Sequence, residues 1–179
     1  MDFNNTFIML VGLPASGKST LAQEYAEEYH AVIESSDAMR EELFGDVSVQ
    51  DKNKELFEAL HKRIKEDLAF GLSVVYDACN ISYKRRKAFL DEIKNLCSHK
   101  ICVVMCTPYD ECIKRNMHRE RVVPRSVIER MYMNFNIPYW YEGWDEIKLK
   151  YTELYPKLDK PEYFPVMTAT YNQQTILHA

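Results

Sequence analysis

The feature that most constrains this chain is the loop sequence GLPASGKS at residues 12–19. It matches the pattern G-x-x-x-x-G-K-[S/T], whose backbone N–H groups and lysine hold the phosphates of a nucleotide. The apolar run FIMLV at residues 7–11 predicts a buried strand before the loop, and residues 20–28 after it are rich in helix formers. Because strand, glycine loop and helix stand in the order that phosphate binding requires, the sequence predicts a nucleoside triphosphate site.

Each residue type in this phosphate-binding loop (P-loop) has a chemical reason. Glycines let the backbone turn so that successive N–H groups face a phosphate, and the following helix N-terminus adds about half a positive charge. We expect Lys18 to reach the β- and γ-phosphates and the Ser19 hydroxyl to bind Mg²⁺. Ala15 stands where many related loops carry another glycine, so its backbone lacks that freedom. The predicted ATP-binding residues of the loop are Gly12, Pro14, Ala15, Ser16, Gly17, Lys18, Ser19 and Thr20.

Composition bounds the class of protein. A length of 179 residues, with 46% hydrophobic and 28% charged content, is typical of one soluble globular domain. The five cysteines include no C-x-x-C pair, so neither disulfides nor structural zinc are expected, and a reducing cytoplasm is favoured. We expect neither a membrane span nor a secretory signal. A net charge of −4 argues against nucleic-acid binding over the whole surface and allows a local basic patch.

An acidic residue follows the second predicted strand. The apolar run at 31–33 is followed by Ser35, Ser36 and Asp37, which stand at the carboxyl end of the strand, where ligands bind in open α/β sheets. Asp37 can there take the proton of an attacking hydroxyl, although Ser36 or Asp37 can instead serve as the N-cap of the next helix. Arg40 lies one helical turn on and shares this face, or makes an ordinary surface salt bridge.

A second acid and a basic turn follow along the chain. The strand predicted at 73–77 ends on Asp77, which can hold a Mg²⁺-bound water or a substrate group, or form an Asx turn. The helix predicted over 83–97 has four basic residues, 84–87, in its first turn. Because positive charge opposes the helix dipole there, either a polyanionic ligand or solvent must compensate it.

The remaining segments complete an alternation of strands and helices. Apolar residues recur at helical spacing over 51–70, where we expect His61 to be packed or solvated rather than catalytic. Residues 100–106 predict another buried strand, followed by Thr107 as a helix cap and Pro108 at the first helical position. An edge strand is expected at 146–150.

A basic segment with a proline, residues 118–125, predicts a mobile connection. Mobile segments whose arginines close over phosphates recur in kinases, and an ordinary charged loop is the alternative. Ser126 is expected to cap the helix that follows. We therefore expect a P-loop domain at 1–150 with a lid near 115–126. Residues 151–179 form a C-terminal extension, either a docking segment or the start of a further domain.

Several stretches together resemble the P-loop 5′-hydroxyl polynucleotide kinases of phage and bacterial nucleic-acid repair. The resemblance extends over about residues 7–150 and depends on an ordered set of motifs, because the P-loop alone is shared by many NTPases. Related small-molecule and toxin kinases share part of the set. The motifs are residues 12–20, Ser36-Asp37-x-x-Arg40, Asp77-Ala78-Cys79-Asn80 followed by Arg85 or Arg86, Arg115-Asn116-x-x-Arg119, and Val123-Pro124 opening a helix.

This resemblance implies an α/β fold, a three-layer P-loop kinase domain with a central parallel sheet and a small helical lid. It implies that Asp37 is the general base for the acceptor 5′-hydroxyl and that Arg40 holds the neighbouring phosphate. Asp77 and Asn80 are implied to lie at the acceptor site. Cys79 departs from the family, in which a threonine is usual.

The resemblance also implies that Arg115 and Arg119 are lid cations on the donor phosphates, with Arg119 acting in catalysis beside Lys18. The spacing of the lid leaves open whether Arg119 or Arg121 is the main cation.

Motifs and resemblance agree on ATP-dependent phosphoryl transfer with Mg²⁺, while the polynucleotide 5′-hydroxyl acceptor comes from the resemblance. A kinase for a small hydroxylated metabolite or nucleotide sugar stays open, as does a nucleotide-binding switch that transfers nothing. The choice between RNA and DNA and the oligomeric state are also open.

Overall fold

The computed structural model describes residues 4–47, 49 and 51–152 of the chain. Most of the predicted extension at 151–179 lies outside these residues. No helix in the described part is long and apolar enough to cross a membrane. The elements are β1 Thr6–Val11, α1 Lys18–Tyr29, β2 Val32–Ser35, α2 Ser36–Phe44, α3 Asn53–Ala69, β3 Val74–Asp77, α4 Tyr83–Ile93, β4 His99–Cys106, α5 Tyr109–Met117, α6 Arg125–Met133, the 3₁₀ turn Trp140–Glu142, and β5 Glu146–Tyr151.

The strands form one parallel sheet in the order β2-β3-β1-β4-β5. β1 lies at its centre, where Phe7 stands opposite Val74 of β3 and Lys100 of β4. The continuous apolar sequence of β1 follows from this position, because a central parallel strand is buried on both faces. Since the strands run in one direction, the loops at 12–17 and 77–80 meet at the carboxyl edge of the sheet.

Helices cover both faces of this sheet, so the predicted three-layer α/β fold is confirmed. On one face, α1 packs Leu21, Ala22 and Tyr25 against alternate residues of β1. On the other, α3 and α4 bury apolar stripes at helical spacing. α5 and α6 join through Cys112 and Ile128, which pack on Leu13 of the P-loop and form the predicted small helical lid. The α3 stripe consists of Leu56, Leu60, Ile64 and Leu68.

The cap of α2 differs from the prediction. Ser35, rather than Ser36 or Asp37, is the N-cap, and its Oγ accepts from the backbone N–H of Asp37 at 3.3 Å and of Ala38 at 3.5 Å. Asp37 therefore lies in the first turn, where its charge suits the helix dipole while its carboxylate stays free of the capping role.

Two other predicted caps are also wrong, for one reason. Pro124 precedes α6 and Pro108 precedes α5 as N-cap residues, in place of Ser126 and Thr107. Both prolines have ψ in the extended range and precede the first helical residue, so α5 begins one residue later than predicted, at Tyr109, and α6 two residues earlier, at Arg125. The Thr107 hydroxyl instead donates to the carbonyl of Ser16 at 2.8 Å and joins the end of β4 to the P-loop.

The basic turn at 84–87 is compensated in a way that neither expectation included. Arg86 is buried and forms a bidentate ion pair with Glu142, with nitrogen–oxygen distances of 2.8 and 2.7 Å. Lys87 pairs with Asp91 one turn along α4. The protein's own carboxylates thus neutralise two of the four cations.

Neither the cysteines nor His61 is predicted to act in catalysis, and the structure shows their surroundings. The five cysteines are free thiols, as expected. The His61 ring stacks on Phe89 with centroids 4.1 Å apart, and its Nε2 lies 3.1 Å from the Tyr76 hydroxyl. Burial lowers the pKa of His61 to about 4, so the ring is neutral at pH 7 and packed, as predicted.

Candidate active site

The P-loop turns tightly between β1 and α1. Gly17, the N-cap of α1, has φ +97° and Ala15 has φ +59°, both in the left-handed region. Gly17 adopts it freely, whereas for Ala15 the cost is about 1–2 kcal/mol because its Cβ crowds the following carbonyl. Gly12 is required for space: a Cβ there would stand 2.7 Å from Ser16 Oγ and 2.9 Å from Met105 Cβ.

Lys18 lies inside the curve of this loop. Its side chain is buried, and Nζ donates to the carbonyl of Leu13 at 2.7 Å and approaches Ser16 Oγ at 3.5 Å. Ser19 and Thr20 follow in the exposed first turn of α1 and line the adjoining cleft. An ammonium group, a helix N-terminus and two hydroxyls therefore converge where the motif predicts the phosphates of a nucleotide.

A cleft of about 1460 Å³ extends from the P-loop across the carboxyl edge of the sheet to α3 and α4. Nine cationic side chains and four carboxylates line it in a chain of net charge −4, and positive charge stays in excess after Glu142 has neutralised Arg86. Such a concentration attracts polyanions. The cations are Lys18, Arg40, Lys54, Arg85, Arg86, Arg115, Arg119, Arg121 and Arg130, and the carboxylates are Asp37, Glu58, Asp77 and Glu92.

Asp37 is the centre of a charge network on the wall opposite the P-loop helix. Its Oδ1 accepts from Arg40 Nη1 and from Arg121 Nη1, each at 3.0 Å. Arg40 Nη2 donates to Asn53 Oδ1 at 2.9 Å and so ties α2 to α3. The carboxylate is half exposed to the cleft. Because Arg121 comes from the segment between α5 and α6, the network joins the acid to the lid.

Arg40 has an unusual environment for a cation. Only 5% of it is exposed, and its Nε is buried without a hydrogen-bond partner among the residues that the structure describes. Burial lowers the pKa of Arg40 and the neighbouring Asp37 opposes this effect, yet a guanidinium stays charged at neutral pH. The bonds to Asp37 and Asn53 hold both Nη atoms and place this cation in the wall of the cleft.

Asp77 and Asn80 lie at the same edge. Asp77 is buried at the end of β3, and Asn80 has φ +48° in the loop that follows. The Asn80 side chain donates to the backbone carbonyl of Leu10 at 2.9 Å, and the backbone carbonyl of Asn80 accepts from Arg86 Nη1 at 2.9 Å. The backbone of this loop is thereby fixed against β1 and α4, with both side chains on the cleft wall.

The arginines of the lid segment occupy different positions. Arg115 donates from Nε to Glu111 at 2.8 Å, and its Nη1 lies 3.8 Å from where a Cβ on Gly17 would stand, over the P-loop. Arg119 is exposed beyond the end of α5, whereas Arg121 pairs with Asp37. The predicted lid cations thus divide between the P-loop and the opposite wall.

The structure gathers most of the predicted site residues around the one cleft. Gly12 and Ser16 are buried and do not line it. The residues that do are Pro14, Ala15, Gly17, Lys18, Ser19, Thr20, Asp37, Arg40, Asp77, Asn80, Arg115 and Arg119.

Sequence reasoning missed the contact of Asn53 with Arg40 and the burial of Arg86 by Glu142. A signal existed for Arg86 alone, because it precedes Leu90 by four residues and Ile93 by seven and so shares their buried face.

The fold and the site together define a class: a P-loop nucleotide-binding domain of the kinase type, with a parallel sheet, a phosphate loop and a helical lid that carries arginines. Residues 7–138 match the model of the AAA_33 family, an AAA domain. The chain belongs to this family.

Known proteins similar to the chain are consistent with that class. L-seryl-tRNA(Sec) kinase of Methanococcus maripaludis is 27% identical over 143 residues, which cover 77% of this chain and 55% of that protein. The chain thus spans about half the length of this relative.

Two solved structures share the fold. A putative kinase from Chloroflexus aurantiacus superposes with a TM-score of 0.69 at 19% identity, covering 86% of this chain and 88% of that one. A chain of the Pnkp1/Rnl/Hen1 RNA repair complex superposes with a TM-score of 0.65 at 23% identity, covering 73% of this chain and 43% of that one.

Proposed function

We propose that the chain is an ATP-dependent kinase that transfers the γ-phosphate of ATP to the 5′-hydroxyl end of RNA or DNA. Residues 1–150 would form the kinase domain and the segment near 115–126 its lid. The observation that carries the proposal is the Asp37–Arg40 pair, which faces the same cleft as the P-loop. The names of two similar proteins, a tRNA kinase and an RNA repair complex, support a nucleic-acid acceptor.

On the donor side, Lys18 and the N-terminus of α1 bind the phosphates of ATP. Arg115, which lies over Gly17, adds positive charge at the same place. Arg119 acts as the cation that neutralises charge developing on the γ-phosphoryl oxygens. Lys18 and Arg115 are held in position before the reaction by their bonds to Leu13 and Glu111, which is the condition for electrostatic stabilisation of the transition state.

Magnesium fits this donor set. Ser19 offers one hydroxyl oxygen at the P-loop, and the described residues contain no cluster of three or more His, Cys, Asp or Glu side chains that could hold a metal. Mg²⁺ is commonly held by one or two protein oxygens together with phosphate oxygens and waters, rather than by an all-protein cage. Ser19 would hold it, and when bound it would neutralise negative charge on the phosphates of the donor.

On the acceptor side, Asp37 is the general base. Both arginines bond to its Oδ1, so Oδ2 is the atom available to the hydroxyl. As the 5′-oxygen forms its bond to the γ-phosphorus, the bond to ADP breaks and the hydroxyl proton passes to the Asp37 carboxylate. Arg40 and Arg121 hold the carboxylate in position.

We call the side of the cleft that carries Asp37, Arg40, Asp77 and Asn80 the acceptor wall. Its charge favours a polynucleotide over a neutral metabolite as the acceptor. An oligonucleotide carries a phosphate next to its 5′-terminal nucleoside, whereas a neutral sugar has no group that needs a buried cation. Arg40, a cation in the wall of the cleft, supplies positive charge for that phosphate. Asp77 and Asn80 complete the wall that receives the terminal nucleoside.

Transfer from radiolabelled ATP to a panel of acceptors tests the proposal. We expect a 5′-hydroxyl oligonucleotide to be labelled in preference to a free nucleoside or a monosaccharide. Asp37→Asn should lower transfer by about 10²–10⁴ while ATP affinity stays nearly unchanged. Glu41→Gln, an exposed acid on the same helix, is the matched control and should transfer normally.

Three results would contradict this assignment in different ways. Preferential labelling of a monosaccharide or nucleoside would keep the kinase and reject the polynucleotide acceptor. Normal turnover by purified Asp37→Asn would remove Asp37 from catalysis. Nucleotide binding without transfer to any acceptor would favour a nucleotide-dependent switch.

A further inference from the structure

We propose that an exposed aromatic surface beside the cleft stacks on the bases of a single-stranded nucleic-acid acceptor. We call this surface the aromatic shelf and define it as Tyr83, Tyr139, Trp140 and Tyr141. The inference rests on the proposed function and adds a second binding surface for the same substrate, outside the residues that carry out transfer.

The rings of the shelf form one ordered group. Tyr139 and Tyr141 lie nearly parallel, with centroids 5.3 Å apart and an interplanar angle of 6°. Tyr83 and Trp140 contact Tyr141 edge to face at 6.3 and 6.0 Å. Between 39% and 61% of each residue is exposed. Clustered exposed aromatic residues mark an interaction surface, and each ring face can receive a base of any identity.

A buried ion pair holds the shelf rigidly. Glu142 is fully buried, and its Oε1 accepts from the backbone N–H of Tyr139 at 3.0 Å while Arg86 and Trp144 also bond to its carboxylate. The 3₁₀ turn that carries the rings is therefore fixed by its own terminal residue. Rings presented in a fixed position lose little conformational entropy when a base stacks on them.

The shelf adjoins the acceptor end of the cleft. Ser82 lines the cleft, and Tyr83 is the next residue in the chain. The two segments are also bonded to each other: Asn136 donates from its backbone to the carbonyl of Ile81 at 2.9 Å and accepts from the backbone of Tyr83 at 3.1 Å. A strand whose 5′ end lies at Asp37 and which leaves the cleft past Ser82 reaches the shelf directly.

Charge selects the partner. Lys84 and Arg85 are exposed in the first turn of α4, and neither forms an ion pair within the described part of the chain. Arg85 also lines the cleft, so positive charge continues from the cleft to the rings. Aromatic faces beside cations that track a backbone are the features with which proteins bind single-stranded nucleic acid without sequence preference. An apolar protein surface carries no negative charge to pair with these cations.

Binding can be measured without transfer, because no phosphate moves when ATP is left out. We would titrate the full chain with a fluorescent 5′-hydroxyl decanucleotide and follow anisotropy. The double variant Trp140→Ala, Tyr141→Ala should bind at least about tenfold more weakly. Phe70→Ala removes a ring that is even more exposed, at the opposite edge of the sheet, and should bind like the wild type. Trp140→Phe, which keeps a stacking face, should retain most of the affinity.

An abasic decanucleotide separates stacking from charge. We expect the wild type to bind it about as weakly as the double variant binds the ordinary strand. Equal binding of the abasic and ordinary strands, or wild-type affinity in the double variant, would overturn the shelf. The second result would also favour a protein partner for these rings.

Transfer assays distinguish failure of the shelf from failure of the proposed function. With the shelf, the preference for a decanucleotide over a dinucleotide, as the ratio of kcat/KM values, should fall about tenfold in the double variant. An unchanged preference would reject the shelf and keep the kinase. Labelling of neither oligonucleotide by the wild type would reject the proposed acceptor and the shelf with it.

Discussion

Replacing Glu142 by Gln tests the most deeply buried charge interaction of the structure. The side chains of Arg86 and Glu142 are 1% and 0% exposed, and the carboxylate accepts two hydrogen bonds from the guanidinium, one from Trp144 Nε1 and one from the backbone of Tyr139. Gln keeps the shape of the side chain but removes the charge. Its amide N–H₂ would also face donors that need an acceptor.

The expected loss of stability follows from this geometry. Breaking a buried ion pair by removing one partner costs about 3–5 kcal/mol, since the other charge stays buried without compensation. Arg86 keeps its bond from Nη1 to the carbonyl of Asn80, which places the expected cost near 3 kcal/mol. The total stability of a domain is about 5–15 kcal/mol, so the variant should still fold.

Urea unfolding followed by circular dichroism measures this loss. Asp91→Asn in the exposed pair with Lys87 is the control and should cost no more than about 0.5 kcal/mol. The double variant Arg86→Met, Glu142→Leu should be more stable than either single variant, because it leaves no unpaired buried charge. A Glu142→Gln protein within about 1 kcal/mol of the wild type would refute the reasoning.

Two further predictions concern the P-loop and the lid. Ala15→Gly should raise the free energy of unfolding by up to about 1 kcal/mol in the same urea experiment, because Ala15 has φ +59°. Ala88→Gly, in an ordinary helical position, is the control and should lower the free energy of unfolding by about 0.8–1 kcal/mol. Equal effects of the two substitutions would exclude strain at Ala15. In steady-state kinetics, Arg119→Ala should lower kcat more than it raises the KM for ATP, while Arg121→Ala should act mainly on the KM of the acceptor because Arg121 contacts Asp37; the reverse pattern would exchange their roles.

The parts of the fold that the sequence predicted are those set by local patterns. The apolar run of β1, the glycine spacing of the P-loop and the acid at the end of β3 each occupy a few consecutive residues. Parallel strands place their carboxyl ends at one edge, so Lys18, Asp37 and Asp77 were expected to share a site, and they line one cleft. Their catalytic roles stay predictions.

The contacts that the sequence did not predict join residues far apart in the chain. Arg121 and Asp37 are 84 residues apart, and Arg86 and Glu142 are 56 apart. Arg86 shares the buried face of α4 by its spacing, but the other three partners have the pattern of ordinary surface charges, and only the fold brings each pair together. The helix caps predicted at Thr107 and Ser126 were wrong for a local reason instead. The preference of serine and threonine for the cap position was given more weight than the backbone restriction that Pro108 and Pro124 impose.

A buried ion pair is weak evidence for stability by itself, because apolar residues of the same volume often replace such a pair at no cost. Apolar residues cannot, however, form the directed hydrogen bonds that this pair makes to its neighbours. Arg86 donates to the carbonyl of Asn80 in the acceptor wall, while its partner Glu142 accepts from the backbone of Tyr139 on the aromatic shelf. A single salt bridge therefore fixes the position of the acceptor wall relative to the shelf, as a strand held at both places would require. The Arg86→Met, Glu142→Leu protein should accordingly regain stability without regaining the preference for long acceptors, whereas a purely structural pair would restore both.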